Sequence, residues 1–211
     1  MEVWGEFALF SRPELKVERV SYDVPTPSAA RGILESVYFH PGMVWRIDRI
    51  HVLNRIDFVS IRRNEVTEKI SAHNVRQAAQ GGEGCLYLST SKNIVQRASL
   101  ALRNVHYVIE AHFDMTSRAS PADNPGKFQD IIKRRLERGQ CFSMPYLGCR
   151  EFPAHFRRWP GGAIRAIEET RDLGLMLYDF DYSDPGNITP TYFLARLENG
   201  VLNVGDCEVF R

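Results

Sequence analysis

The chain has 211 residues, 44% of them hydrophobic and 25% charged, with a net charge of +1. This is an ordinary soluble globular composition, long enough to bury a sizeable core as one domain or as one domain with a small appendage. No run of about 18 apolar residues is present and the N-terminus lacks the basic-then-apolar pattern of a signal peptide, so a cytoplasmic location without a membrane partner is expected.

In chain order, Glu2 to Phe10 is apolar on both alternating faces, which suits a strand in the middle of a sheet. A helix is predicted over 28–39: Thr26 or Ser28 caps it, Pro27 suits its first turn and Pro41 bars its continuation. Ala30, Ile33, Leu34 and Val37 share its apolar face, while Arg31, Glu35 and Tyr38 share the other. Tyr38 is thus expected at the edge of the polar face, either packing on the rim with its hydroxyl in water or turned to chemistry. Met43 to Ile61 reads as one long or broken strand rich in β-branched residues. The pattern weakens from Arg62 to Gly84, and residues 80–84 read as a flexible loop.

Asn104 to Met115 is a half-buried strand, with Val105, Tyr107, Ile109, Ala111, Phe113 and Met115 on one side and His106, Val108, Glu110, His112 and Asp114 on the other. The next helix is expected from about Lys127 to Gly139, with Phe128, Ile132 and Leu136 as its buried stripe, joined by Ile131. Beyond Arg165, strands are predicted over 166–170, 174–181, 191–198 and 201–207, with Glu198-Asn199-Gly200 as a hairpin turn. The plan is α+β: a ferredoxin-like, RNA-recognition-like βαββαβ domain over 1–155, and a small antiparallel β subdomain over 156–211.

Charge is unevenly spread. From Arg118 to Arg165 there are ten basic and four acidic side chains, a net of +6, which favours a polyanion partner over a merely solvated helix face. The four cysteines and six histidines form no Cys-x-x-Cys, no His-Glu-x-x-His and no comparable ligand spacing, so neither metal nor cofactor is expected. Asp179, Asp181 and Asp184 read as a loop-flanking run, not a two-metal cluster. RNA can be cut without metal when a base takes the 2′-hydroxyl proton, a cation steadies the phosphorane and an acid serves the leaving 5′-oxygen. Lys127, opening a helix after Pro125-Gly126, suits phosphate, and near Tyr38 its ammonium would lower the phenol's pKa. In the block 139–153, Arg150 can fork onto phosphate, and Phe142, Tyr146 or Phe152 can stack on bases; equally, the block can be a loop with aromatic plugs.

The helix segment from Pro25 to Tyr38, the loop Asn124-Pro125-Gly126-Lys127 and the block from Pro145 to Ala154 together resemble the type I-C CRISPR-associated repeat RNA endonucleases, of the repeat-associated superfamily. The resemblance implies a nuclease that cuts repeat hairpins of a CRISPR transcript without metal and holds the 5′ handle inside a surveillance complex with other subunits. The family's catalytic tyrosine, lysine and histidine fall on Tyr38, Lys127 and Phe128. Phe128 donates no proton, which leaves three readings. In the favoured one Lys127 is both electrophile and acid; in the second His40 or His112 substitutes; in the third cleavage is slow and RNA holding is the main role. Arg31, Lys133, Arg134, Arg138, Arg150, Arg157 and Arg158 are the expected RNA-binding cations, with nonspecific duplex DNA as a lesser partner.

Overall fold

A computed structural model describes the whole chain except Lys16, residues 82–85 and Pro185. Cys85 and most of the loop expected at 80–84 lie outside the described residues. The elements are β1 (Glu2–Ala8), β2 (Arg19–Val20), α1 (Pro27–Val37), β3 (Met43–Val52), β4 (Phe58–Val66), α2 (Ala72–Ala79), β5 (Ile94–Met115), α3 (Pro125–Arg138), β6 (His155–Arg157), β7 (Arg171–Asp181), β8 (Thr189–Glu198) and β9 (Val201–Asn203). The fold is mixed α/β: among the described residues there are three helices and an antiparallel sheet in the order β6-β1-β5-β3-β9-β8-β7, with the short β2 parallel to β5 and β4 also paired to β5. None of these helices is long and apolar enough to cross a membrane.

β1 lies between β5 and β6, as its two apolar faces require. β5 is a 22-residue strand, nearly twice the predicted length; its first half pairs with β4 and its second with β3. The stretch 43–61 is therefore two strands that address successive halves of one long partner. α2 is absent from the prediction for a physical reason. Every one of its residues is exposed, and its apolar face, Ala72, Val75 and Ala79, is too short and too small to mark a buried stripe.

The C-terminal strands are continuous with the rest of the sheet, because β9 pairs with β3 through Arg49↔Asn203, Ile50↔Leu202 and His51↔Val201. The boundary expected near residue 155 is not a break in hydrogen bonding. Residues 166–170 form no strand, and the strand expected over 201–207 ends at Asn203. The hairpin turn is as read: Asn199 and Gly200 both have positive φ, 48° and 74°, the left-handed pair that a tight two-residue connection needs. Gly148, at φ 86°, approaches β1 so closely that a Cβ there would sit 2.0 Å from the Leu9 carbonyl oxygen. Glycine is thus required where the block 139–153 docks, and the Leu9 N–H donates to the Leu147 carbonyl at 2.9 Å.

Candidate active site

α1 starts as predicted, with the Thr26 hydroxyl accepting from the Ala29 N–H, but it ends at Val37, and Tyr38 is its C-cap in extended conformation. That change of backbone direction decides where the tyrosine goes. Its carbonyl accepts from Trp45 Nε1 at 3.0 Å and its ring turns inward, leaving Tyr38 7% exposed instead of on the polar rim. The hydroxyl makes no hydrogen bond among the described residues and is not sealed from solvent.

α3 begins two residues earlier than predicted, because Asn124 is its cap: the Asn124 side-chain oxygen accepts from the Lys127 N–H at 2.9 Å. Gly139 closes it in the left-handed conformation. Asn124→Ala is expected to lower stability by about 1 kcal/mol, read as a shift in the denaturant midpoint, and to slow cleavage by loosening Lys127. An unchanged midpoint would show that the cap does not hold this turn.

Phe128 is fully buried and forms the hub of the site. Its ring centroid lies 5.9 Å from that of Tyr38, 4.9 Å from that of His40 and 6.1 Å from that of Phe113. Lys127, one residue earlier and half-exposed, donates to Asp123 Oδ1 at 2.9 Å. The Ser120 N–H and hydroxyl donate to Asp123 Oδ2, and His40 Nε2 lies 3.9 Å from the same oxygen. Lys127 and Ser120 together hold the Asp123 carboxyl well below the usual carboxylate range. Asp123 was missed by sequence reasoning, although its (i, i+4) spacing to Lys127 was available as a signal.

The His40 ring is oriented by backbone: the Gly42 N–H donates to Nδ1 at 3.0 Å. An accepting Nδ1 leaves the neutral ring's proton on Nε2, on the side of Asp123. Arg135 also enters the site, with its guanidinium 5.1 Å from the Tyr38 ring centroid and its Nη1 donating to the Val37 carbonyl. The expectation of a lowered tyrosine pKa is corrected. Burial pushes the phenol up, and the opposing pull of Arg135 and Lys127 does not overcome it.

The remaining expected residues divide sharply. Arg31 is not free: it forks onto Asp179 at 2.9 and 2.8 Å and donates to Glu35 at 2.7 Å. Arg157 is clamped on the buried Glu2, and Arg158 donates to Glu137 at 2.6 Å. Lys133, Arg134, Arg138 and Arg150 are exposed and have no carboxylate partner within 4 Å among the described residues. His112 belongs elsewhere, paired with Asp48 on the opposite face of the sheet from Phe113. Phe152 is a plug packed on Phe7, whereas Phe142 is 82% exposed. Among the described residues no three His, Cys, Asp or Glu side chains gather as a metal site.

A family model described as "CRISPR-associated protein (Cas_Cas5)", of the Cas5d type, matches residues 1–205. The chain belongs to the Cas5d family. Two curated relatives carry the name "CRISPR pre-crRNA endoribonuclease Cas5d". The one from Mannheimia succiniciproducens is 47% identical over 97% of this chain and 93% of its own length. The one from Thermus thermophilus is 40% identical over 97% of this chain and 90% of its own. The fold is shared with a crystal structure of a CRISPR-associated protein, at TM-score 0.69 and 22% identity over 100% of this chain and 94% of the other. It is shared too with a functionally uncharacterized Streptococcus mutans protein, at TM-score 0.67 and 22% identity over 100% and 95%. The resemblance read from the three motifs is thereby the family of the whole chain.

Proposed function

We propose that this chain is a metal-independent endoribonuclease that cuts the repeat hairpins of a CRISPR precursor transcript in the cytoplasm. It then retains the 5′ handle within a type I-C surveillance complex. The observation that carries the reading is the convergence of Tyr38, Lys127, Asp123 and His40 around Phe128, in a chain of the Cas5d family.

In this reading the Tyr38 phenolate takes the 2′-hydroxyl proton and the 2′-oxygen attacks phosphorus. The P–O5′ bond breaks, leaving a 2′,3′-cyclic phosphate, and the 5′-oxygen takes a proton. Lys127, swinging from Asp123, steadies the phosphorane and supplies that proton; the His40 Nε2–H is placed as a hydrogen-bond donor beside it. Phe128 sets the angle at which Lys127 leaves the helix. Arg134, Arg138 and Arg150 are the cations free to track the RNA backbone. The strand order β6-β1-β5-β3, with α1 joining β1 to β3 and α3 joining β5 to β6, supports a ferredoxin-like βαββαβ unit that carries the site; its last strand runs to Arg157, two residues past the boundary expected at 155, and β7, β8 and β9 extend the sheet.

The test is cleavage of the repeat hairpin in EDTA, with a second substrate carrying 2′-deoxy at the scissile nucleotide. Cleavage is expected to persist with EDTA and to vanish with the deoxy substrate; a cut deoxy substrate contradicts the mechanism. Because burial raises the phenol's pKa, the phenolate is a small fraction at neutral pH. The rate is therefore expected to rise about tenfold per pH unit between about pH 7 and 9. A flat profile would remove Tyr38 as the base.

A further inference from the structure

β5 outruns its neighbour β1. Their ladder ends at Glu2↔Val108, while β5 continues to Met115 with β3 on its other edge. Met1 and Ile109 exchange both backbone hydrogen bonds, at 2.8 and 2.7 Å, so Ile109 faces the β1 edge. Antiparallel pairing alternates, and Ala111, Phe113 and Met115 must therefore point their N–H and C=O groups to that same edge. The other side agrees: the Thr116 N–H donates to Gly42 and the Met43 N–H to His40, which makes Met43↔Met115 a non-hydrogen-bonded pair. Among the described residues these three edge groups have no backbone partner.

The edge is not bare surface. α3 stands beside it across a groove of about 390 Å³, lined on the helix side by Gln129, Ile132, Lys133 and Leu136. The apolar stripe expected to be buried along α3 is fully buried only at Phe128; Ile131, Ile132 and Leu136 are partly exposed, and Ile132 and Leu136 line the groove. An unpaired strand edge, an apolar wall and an exposed, unpaired Lys133 at the rim occur together.

We propose that this groove receives an extended peptide segment of a partner protein, which adds to the sheet as a strand beside residues 111–115 of β5. A strand is favoured over a nucleotide because the groove offers alternating main-chain donors and acceptors at strand spacing, which a base does not match. Its alternate side chains are apolar, against Ile132 and Leu136, and an acidic residue meets Lys133. The inference rests on the proposed assembly for its partner, and it concerns a surface that the cleavage chemistry does not use.

The test compares amide hydrogen exchange at Ala111, Phe113 and Met115 in three samples: the chain alone, the chain with repeat RNA, and the assembly purified from its host. Exchange is expected to slow by about tenfold or more in the assembly only. Equal exchange at these amides in an assembly that contains the chain overturns this inference alone, and slowing by RNA alone overturns it in favour of a nucleotide. A chain that cuts repeat RNA yet joins no assembly overturns both this inference and the proposed assembly. Ala111→Pro removes an N–H that β3 does not use, so cleavage by the free chain is expected to be unchanged while recovery of the assembly collapses. Unchanged recovery overturns the proposal, and the exchange comparison on the parent chain stands if the variant fails to fold.

Discussion

Tyr38→Phe is expected to slow cleavage of repeat RNA by about 10²- to 10⁴-fold, the usual worth of a positioned general base, without changing RNA affinity. The separation of the two effects comes from the geometry. The Tyr38 hydroxyl makes no hydrogen bond among the described residues, while the ring contacts with Phe128 and Arg135 survive its removal. Stability should therefore stay within about 0.5 kcal/mol of the parent, and the loss should lie in the chemical step. Single-turnover cleavage and a binding titration on the same preparation separate these quantities. Full cleavage by the variant would leave the phenol without a chemical role and move the base elsewhere in the cluster.

The second large effect is structural. Phe128→Ala is expected to destabilise the chain by about 3–5 kcal/mol, because the fully buried ring is the common neighbour of Tyr38, His40 and Phe113 and its loss leaves a cavity at the junction of α1, β5 and α3. Equilibrium denaturation measures this directly. Phe128→Val or a similar small change would confound packing with chemistry, so the informative partner is Phe128→His, which installs the residue expected from the family pattern. A histidine there puts polar ring atoms in a fully buried apolar site and is expected to cost about 1–3 kcal/mol with no gain in rate. A large acceleration by Phe128→His would show that position 128 opens to substrate and that proton donation is what this chain lacks.

Much of the site's framework was legible locally. Thr26 and Pro27 mark the start of α1 through groups three residues apart, and Glu198-Asn199-Gly200 specifies its turn through two left-handed residues, whereas α3 starts two residues before the expected position, at a cap, Asn124, that the local reading does not use. Arg31 shows where local reading stops. It sits on the expected polar face, yet its charge is taken by Asp179, 148 residues away in sequence, so its value as an RNA contact was not readable from its helix. Burial works against the charged guanidinium, but Asp179 and Glu35 outweigh it and raise the pKa. Arg157 and Glu2 repeat the lesson across 155 positions. Exposure of a cation on a helical wheel does not establish that it is free.

Sequence alone determined the family, through three motifs in order, and with it the chemistry to look for at Tyr38 and Lys127. It also determined the start of α1 and the turn at Asn199-Gly200, because those signals act within a few residues of the chain. Tertiary structure decided the direction of the Tyr38 ring, through a one-residue departure from the helix and a bond from Trp45, and with it the sign of the phenol's pKa shift. It decided too that β9 joins β3 and that β5 overhangs β1. Such features depend on pairings between residues distant in sequence, whose partners are chosen by packing and register, not by local preference.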